Sequence, residues 1–287
     1  MRSVVGEGPP GYRSCVRGCA VPMHPFHRTE LLFGREGFAR VEQARACVVG
    51  LGGVGSYAAE ALVRAGIGHV TLVDFDRVCI TNVNRQLHAT RRTVGKFKTE
   101  LMAERAEQIH RKCDVRLVTN FYDKELDGEI LDPGFDWVLD CIDQMSAKLD
   151  LLESCVRRGQ PVVSAMGAGG RLDPTRIRVS DLFEVKHDPF ARIVRKQLRK
   201  RGIDRGIEAV WSDEPPVATD DRVEAEFQCV CPDKSLKERY SCESRYQIQG
   251  SSSWMPPMFG LAMAGFVVNR IIEEARAEAG APLRARA

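Results

Sequence analysis

The sequence predicts an α/β fold, with a doubly wound, mostly parallel sheet and a C-terminal extension. Three observations predict it. Short apolar runs alternate with helical patterns between residues 46 and 164, the order that builds a parallel sheet. A glycine-rich turn, Gly50-Leu51-Gly52-Gly53-Val54-Gly55, joins the first run to the helix behind it. An acid, Asp74, closes the next run about twenty residues on.

The ordered pattern begins near Phe26, and an amphipathic stretch runs from Arg28 to Glu42. Ala46 to Val49 reads as a buried strand that enters the glycine turn, with a helix from Val54 to Ala65 after it. The next strand is His69 to Asp74. Val94 to Ile109 reads as a helix, because Leu101, Met102, Ala106 and Ile109 recur on one face. Val115 to Thr119, Trp137 to Ile142 and Pro161 to Ser164 are further strands, the last two separated by a helix from Ala147 to Arg158. After Gly170 the alternation weakens. Arg176 to Val179 and Ile207 to Trp211 are strand candidates, and Pro189 to Arg201 is a basic helix. Residues 212–258 read as long loops rich in Pro, Ser, Asp and Glu. A last helix, Phe259 to Ala279, carries small residues (Gly260, Ala264) that permit close packing.

The chain has 287 residues, 44% hydrophobic and 28% charged, enough for one large α/β domain or two smaller ones. A net charge of +3 gives no global polyanion signal, so contact with nucleic acid needs a local patch. The basic helix offers one: Arg192, Arg195, Lys196, Arg199 and Lys200, with Arg201 and Arg205 after them. Positions 192, 195, 196 and 199 recur at three and four and share a face. Such a face either meets phosphates or is a solvated charged surface.

No segment has the pattern of a secretory leader, and no run of 18 uncharged apolar residues suggests a bilayer span. A soluble, cytoplasmic protein without a membrane partner is expected, with its ten cysteines mostly reduced. Cys47, Cys141 and Cys155 lie in apolar runs and are expected in the core. Cys15 with Cys19, and Cys229, Cys231 and Cys242, are incomplete metal-ligand sets.

The glycine turn lies where a strand meets a helix N-terminus, whose unpaired N–H groups and dipole attract an anion. This is the Rossmann-like nucleotide cradle; a merely structural turn is the alternative. Gly50, Gly52, Gly53 and Gly55 would line the phosphates and Asp74 would accept the ribose hydroxyls. The turn itself does not choose between a dinucleotide and ATP. The residues after Asp74 do: Phe75-Asp76, then Asn82-Val83-Asn84-Arg85-Gln86, then Lys98. A triphosphate in transit needs cations, and Arg85 and Lys98 supply them. A lysine in the first turn of a helix opposes the helix dipole, a cost that points to a ligand, although a solvated surface lysine is the plainer reading. Asp143, after Asp140-Cys141-Ile142, ends a later strand and should reach the same crevice. Beside a triphosphate it implies Mg²⁺ between the charges; its other reading is a helix N-cap. ATP with Mg²⁺ is the expected ligand. Arg85→Ala and Lys98→Ala are expected to fold normally and lose activity. A nicotinamide-dependent oxidoreductase would leave Arg85, Lys98 and Asp143 without a task.

These residues resemble the adenylation core of the ThiF/MoeB, ubiquitin-activating-enzyme-like superfamily. The resemblance implies that Asp74 holds ribose, that Arg85 and Lys98 hold phosphates, that Asp143 serves Mg²⁺, and that Asn82 and Asp76 belong to the same pocket. It also implies a homodimer in which Arg28 reaches the partner's ATP, with Arg35 close by as a rival for that match. Leu31 to Gly34, Gly167 to Gly170, Asp173-Pro174-Thr175, Val210 to Pro216 and Gly250 to Ser253 carry a narrower similarity, to the tRNA threonylcarbamoyladenosine dehydratases. That implies ATP-dependent ring closure of the threonylcarbamoyl side chain on tRNA. Arg192, Arg195, Lys196, Arg199 and Lys200 would then meet the tRNA, and accessory sulfurtransferase-type proteins would be partners. The implied organisation is a disordered tail over 1–25, a ThiF-type adenylation domain over 26–275 and a flexible tail over 276–287. Within the domain, residues 26–170 form the nucleotide-binding half and 171–275 the substrate and tRNA part. The alternative is adenylation of a sulfur-carrier protein's C-terminal glycine. The paired C-x-x-C zinc ligands usual in those activators are absent from the sequence, and the stretch from Asp220 to Tyr246 follows no family signature.

Overall fold

The protein, seen here as a computed structural model that describes residues 24–218, 220 and 250–278, builds seven strands into one sheet. They are β1 (Arg45–Val49), β2 (His69–Val73), β3 (Asp114–Val118), β4 (Trp137–Asp140), β5 (Val162–Ala165), β6 (Ile177–Asp181) and β7 (Glu208–Ser212). The order across the sheet is β3-β2-β1-β4-β5-β7-β6. Every pair is parallel except β6 with β7. The doubly wound, mostly parallel sheet expected from the sequence is therefore present, and its antiparallel edge belongs to the C-terminal part.

Side chains alternate between the two faces of a strand, and β1 shows the result. Ala46 and Val48 join one hydrophobic cluster, while Cys47 and Val49 join the other. Helices α2 (Arg35–Gln43), α3 (Gly55–Ala65), α4 (Lys98–Ile109) and α8 (Met255–Glu278) cover the first face. Helices α5 (Asp127–Leu131), α6 (Met145–Arg158) and α7 (Pro189–Lys200) cover the second. Leu62, Leu72 and Phe259 are fully enclosed in the first cluster, each contributing about 1.5–3 kcal/mol of transfer free energy.

Three elements differ from the sequence reading by more than two residues, each for a physical reason. The stretch from Arg28 to Glu42 is two helices, α1 (His27–Phe33) and α2, because Gly34 breaks it at φ +79°. Helix α4 starts at Lys98 instead of Val94, since Phe97 pairs with Arg77 in an antiparallel bridge that holds Phe97 extended. Helix α8 starts at Met255, four residues inside the expected loop; Pro256 and Pro257 fall in its first turn, where their missing N–H groups cost nothing. The last helix continues through Glu278, as the periodicity predicts, so a flexible tail does not begin at residue 276. Helix α5 was not expected at all. Residues 1–23, 219, 221–249 and 279–287 lie outside the described residues, with Cys15, Cys19, Cys229, Cys231 and Cys242 among them.

The small-residue face on α8 has the expected use. A Cβ on Gly260 would lie 2.2 Å from the Val54 carbonyl oxygen, so α8 crosses α3 nearly backbone to backbone. By length and composition α8 could cross a membrane, but 61% of its apolar window is buried inside the protein. Cys47 and Cys155 are buried as expected, and burial pushes the Cys47 thiol up to about 12; Cys141 is half-buried.

Candidate active site

Parallel register sets the first three parts of the site side by side. Val49 of β1 lies opposite Val73 of β2 and Asp140 of β4. The residues just beyond, Gly50, Asp74 and Cys141, therefore share one rim. This is the switch point of the sheet, where β1 leads outward to β2 and β4 leads the other way, and ligands of open α/β sheets bind there.

Gly50 has φ +90°, and a Cβ on it would lie 2.9 Å from the Cys141 carbonyl oxygen. Gly52 is different: the nearest atom to its absent Cβ is Gln86 Nε2 at 3.9 Å, which leaves room for a phosphate. The Gln86 side chain is buried, and its Oε1 has no hydrogen-bond partner. An orphaned acceptor beside an open glycine suits a ligand that brings a donor, as a ribose hydroxyl or a metal-bound water does. The aliphatic stem of Arg85 runs over Gly53 on one side and Pro256 of α8 closes the other, 3.3 and 2.9 Å from the Cβ position. Arg85 Nη1 donates to Thr81 O and Asn84 Oδ1, both at 3.0 Å. Asn82 shapes this turn: its Oδ1 accepts from the Cys79 N–H at 3.0 Å, and its carbonyl accepts from the Arg85 and Gln86 N–H groups.

Asp74 is buried and ties the loop to β2, its Oδ2 accepting from the Leu51 N–H at 2.6 Å and its Oδ1 from the Asp76 N–H at 2.7 Å. Burial holds its carboxyl above the usual carboxylate range, against the pull of Lys98. Lys98 opens α4, as expected, but it is no solvated surface lysine: it is 4% exposed. Its Nζ donates to Asp76 Oδ2 at 2.7 Å and lies 3.8 Å from Asp74 Oδ2. Burial disfavours the charge on Lys98, yet Asp74, Asp76 and Asp143 together hold its ammonium above the ordinary value. Asp143 is exposed, close enough for Lys98 to sense its charge. Its alternative reading as the cap of α6 fails, because Gln144 caps that helix by accepting from the Ala147 N–H at 2.8 Å. The structure thus gathers Gly50 to Gly55, Asp74, Asp76, Arg85, Lys98 and Asp143 at one crevice. Arg28 stands apart on α1, exposed.

Two polar groups escaped the sequence reading. Lys148 is fully enclosed, with Nζ 2.5 Å from Asp140 Oδ2 and bonded to Ser164 Oγ and Ala165 O. Asp140 Oδ1 in turn accepts from the Ile142 N–H, so this pair anchors the turn that presents Asp143. A lysine amid Ala147, Leu149, Leu151 and Leu152 was the available signal. Arg171, 2% exposed, donates to Gly167 O at 2.6 Å, to Ser212 O at 2.9 Å, to Glu214 O, and to Asp188 Oδ2 at 2.8 Å. Asp188 caps α7 through the Ala191 N–H. Around Arg171 the scattered motifs converge: Gly170 N–H donates to Gly250 O, Val217 N–H to Gly170 O, Asp173 N–H to Glu214 Oε2 and Ser252 Oγ to Arg171 O. Asn84 Nδ2 reaches Ser251 O at 3.0 Å, which links this cluster to the Arg85 turn. Of the basic face on α7, Arg192, Lys196, Arg199 and Lys200 are exposed. Arg195 is half-buried and donates to the Leu182 and Val185 carbonyls, so it serves the adjoining turn.

The sequence places His88 just after the Arg85 turn, either touching the pocket or bonded to a local backbone group; the structure buries it with neither ring nitrogen partnered. Burial, with Lys98 and Arg105 nearby, pushes its pKa down to about 3. The neutral ring is therefore kept in the fold while the unfolded chain protonates near 6.5. Stability is full above about 6.5 and falls as the pH drops toward about 3, where the folded ring also protonates. His88→Leu is expected to flatten that acid slope in urea titrations at several pH values; a slope equal to wild type would refute the assignment.

The family model described as ThiF family matches residues 26–283. The chain belongs to the ThiF family. Several of its relatives bear one name. It is 38% identical over 252 residues to the tRNA threonylcarbamoyladenosine dehydratase of Bacillus subtilis strain 168, covering 88% of this chain and 96% of that protein. Among solved structures it resembles E. coli tRNA N6-threonylcarbamoyladenosine dehydratase in complex with ATP, with a TM-score of 0.76 and 34% identity over 88% of this chain and 96% of that one. The molybdopterin-synthase adenylyltransferase of Haemophilus influenzae is a more distant ThiF relative, 33% identical over 51% of this chain and 63% of that protein.

Proposed function

We propose that this chain is an ATP-dependent tRNA threonylcarbamoyladenosine dehydratase. One observation carries the reading: the glycine loop, Asp74, Arg85, Lys98 and Asp143 meet at one crevice, and the cluster around Arg171 borders it through Asn84 and Ser251. A free carboxylate is a poor electrophile. Transfer of AMP from ATP turns the threonyl carboxylate into a mixed anhydride and releases pyrophosphate. The ureido group of the same side chain then attacks the acyl carbon and gives up a proton, AMP leaves, and the ring closes. The enzyme needs no nucleophile of its own; its task is positioning and charge stabilisation. Arg85 and Lys98 stabilise the charge on the phosphates, and Asp74 orients the ribose. Asp143 would hold Mg²⁺, which neutralises phosphate charge when bound.

The basic face of α7 supplies sequence-independent attraction for tRNA phosphates through Arg192, Lys196, Arg199 and Lys200. Residues 26–170 serve the nucleotide and 171–275 the tRNA, on one shared sheet. Leu31 and Leu32 of α1 are 75% and 76% exposed, an apolar surface suited to burial in a homodimer, where Arg28 would reach the partner's ATP. The chain works in the cytoplasm, where its tRNA substrate is, and accessory sulfurtransferase-type proteins are further partners.

The test is incubation with ATP and tRNA bearing threonylcarbamoyladenosine, read by nucleoside mass and pyrophosphate release. Loss of the mass of one water is expected. Pyrophosphate release only with a ubiquitin-like carrier protein would favour the sulfur-carrier alternative, and no pyrophosphate with either would end the adenylation reading. Neutralising Arg192, Lys196, Arg199 and Lys200 together is expected to raise KM for tRNA and leave KM for ATP unchanged. Arg195 is spared in that variant because its loss would strip two carbonyls of their donor.

A further inference from the structure

Helix α1 is seven residues long, has no side-chain N-cap and buries none of its residues. A helix this short is not stable by propensity alone. At its start three side chains converge. His24 Nε2 lies 2.9 Å from Glu30 Oε2, His27 Nδ1 lies 3.9 Å from the same oxygen, and the three ligand atoms are all within 4.8 Å of one another. Ligands on a tetrahedral zinc at about 2.0–2.1 Å stand about 3.4 Å apart, so small rotations about χ angles close the set on one ion. We propose that His24, His27 and Glu30 form a site for a single divalent transition-metal ion of the zinc class, which staples the turn at His24 to the first turns of α1.

The donor set suits this class. Two imidazoles and one carboxylate select zinc over magnesium or calcium, and the side chains are 34%, 41% and 26% exposed, which leaves a fourth position open to water. Backbone geometry prepares the set: the His27 N–H donates to the His24 carbonyl at 3.1 Å, and Glu30 follows one helical turn later. The His24 ring lies against Phe38 at 5.6 Å, which limits its rotation. Arg35, 3.9 Å from Glu30 Oε1, is the competing cation. On binding, the His24 ring's single N–H proton moves from Nε2 to Nδ1 through solvent, and Nε2 takes the ion. The 3.3 Å contact from the Phe26 N–H to Nδ1 gives way in exchange. Arg28 lies between His27 and Glu30, so the staple would also fix Arg28, a consequence that rests on the role proposed for it above.

The test uses the full chain stripped of metal with a chelator, then titrated with Co²⁺ and with Zn²⁺. One equivalent of Co²⁺ is expected to give visible bands of a tetrahedral nitrogen and oxygen site, without thiolate charge-transfer bands. His24→Ala with His27→Ala, and separately Glu30→Gln, which keeps a hydrogen-bonding group for His24, are expected to weaken binding about tenfold or more. Zn²⁺ is expected to slow amide exchange in α1 of the wild type and not of the variants. Thiolate bands, unchanged affinity in the variants, or α1 exchange indifferent to Zn²⁺ would each overturn the proposal. None of these readouts uses turnover, so the failure of this site and the failure of the dehydratase reading are separate results.

Discussion

Arg85→Ala is expected to lower kcat by about a hundredfold, near 3 kcal/mol of transition-state stabilisation, with the thermal midpoint unchanged. The guanidinium is half-buried, and among the described residues it donates to the Thr81 carbonyl and the Asn84 side chain, both uncharged and both on its own turn. Its stem lies over Gly53, which sets the charged end at the mouth of the cradle, where phosphate charge would build up in the proposed reaction. Pyrophosphate release and thermal unfolding on the same preparation check both halves; turnover within twofold of wild type would remove Arg85 from the phosphate site. Lys98→Ala is expected to lose as much activity but not to fold as well, contrary to what the sequence suggests. Lys98 is enclosed against Asp74 and Asp76, and cutting it away leaves two carboxylates facing each other. Lys98→Arg should recover stability before it recovers rate.

Lys148→Ala is expected to cost about 3–5 kcal/mol of stability, the largest effect of any substitution considered. Asp140 and Lys148 are both fully enclosed, and without the ammonium Asp140 keeps only the Ser164 hydroxyl and the Ile142 N–H. An uncompensated buried charge of this kind cannot relax into water. Urea unfolding gives the number; a change within about 0.5 kcal/mol, the size of an ordinary surface substitution, would show that the pair is dispensable. The double substitution Asp140→Asn, Lys148→Met should recover part of the loss, because it removes both charges together. ATP affinity is expected to stay low in that variant, since the anchor of the Cys141 to Asp143 turn is still altered.

The legible part of the molecule is the part with a local code. The glycine turn, the period-two strands and the acid ending β2 are set by contacts within about 30 residues, the length of one βαβ unit, and the sheet and cradle follow from them. Lys98 was found for its unfavourable place on the helix dipole, yet its ion partners were not seen, since the Phe97 bridge that turns it inward pairs residues twenty apart. Arg171 was invisible for a stronger version of that reason. Its four acceptors come from residues 167, 188, 212 and 214, and no periodicity links them. The break at Gly34 needed a backbone angle, and the early start of α8 needed the knowledge that a Pro-Pro pair can open a helix. Arg195 looked like its neighbours on the wheel, and only its reach to two carbonyls sets it apart.

The wall that Pro256 and Gly260 place against residues 53 and 54 is made late. A nascent chain emerging from the ribosome exposes Gly50, Asp74, Arg85, Lys98 and Asp143 long before α8 exists. Until α8 is made, the cradle lacks a side and the apolar flank of α3 has nothing to cover it. A chain cut before Met255 would keep Gly50, Asp74, Arg85, Lys98 and Asp143 and lose the wall beside Gly53.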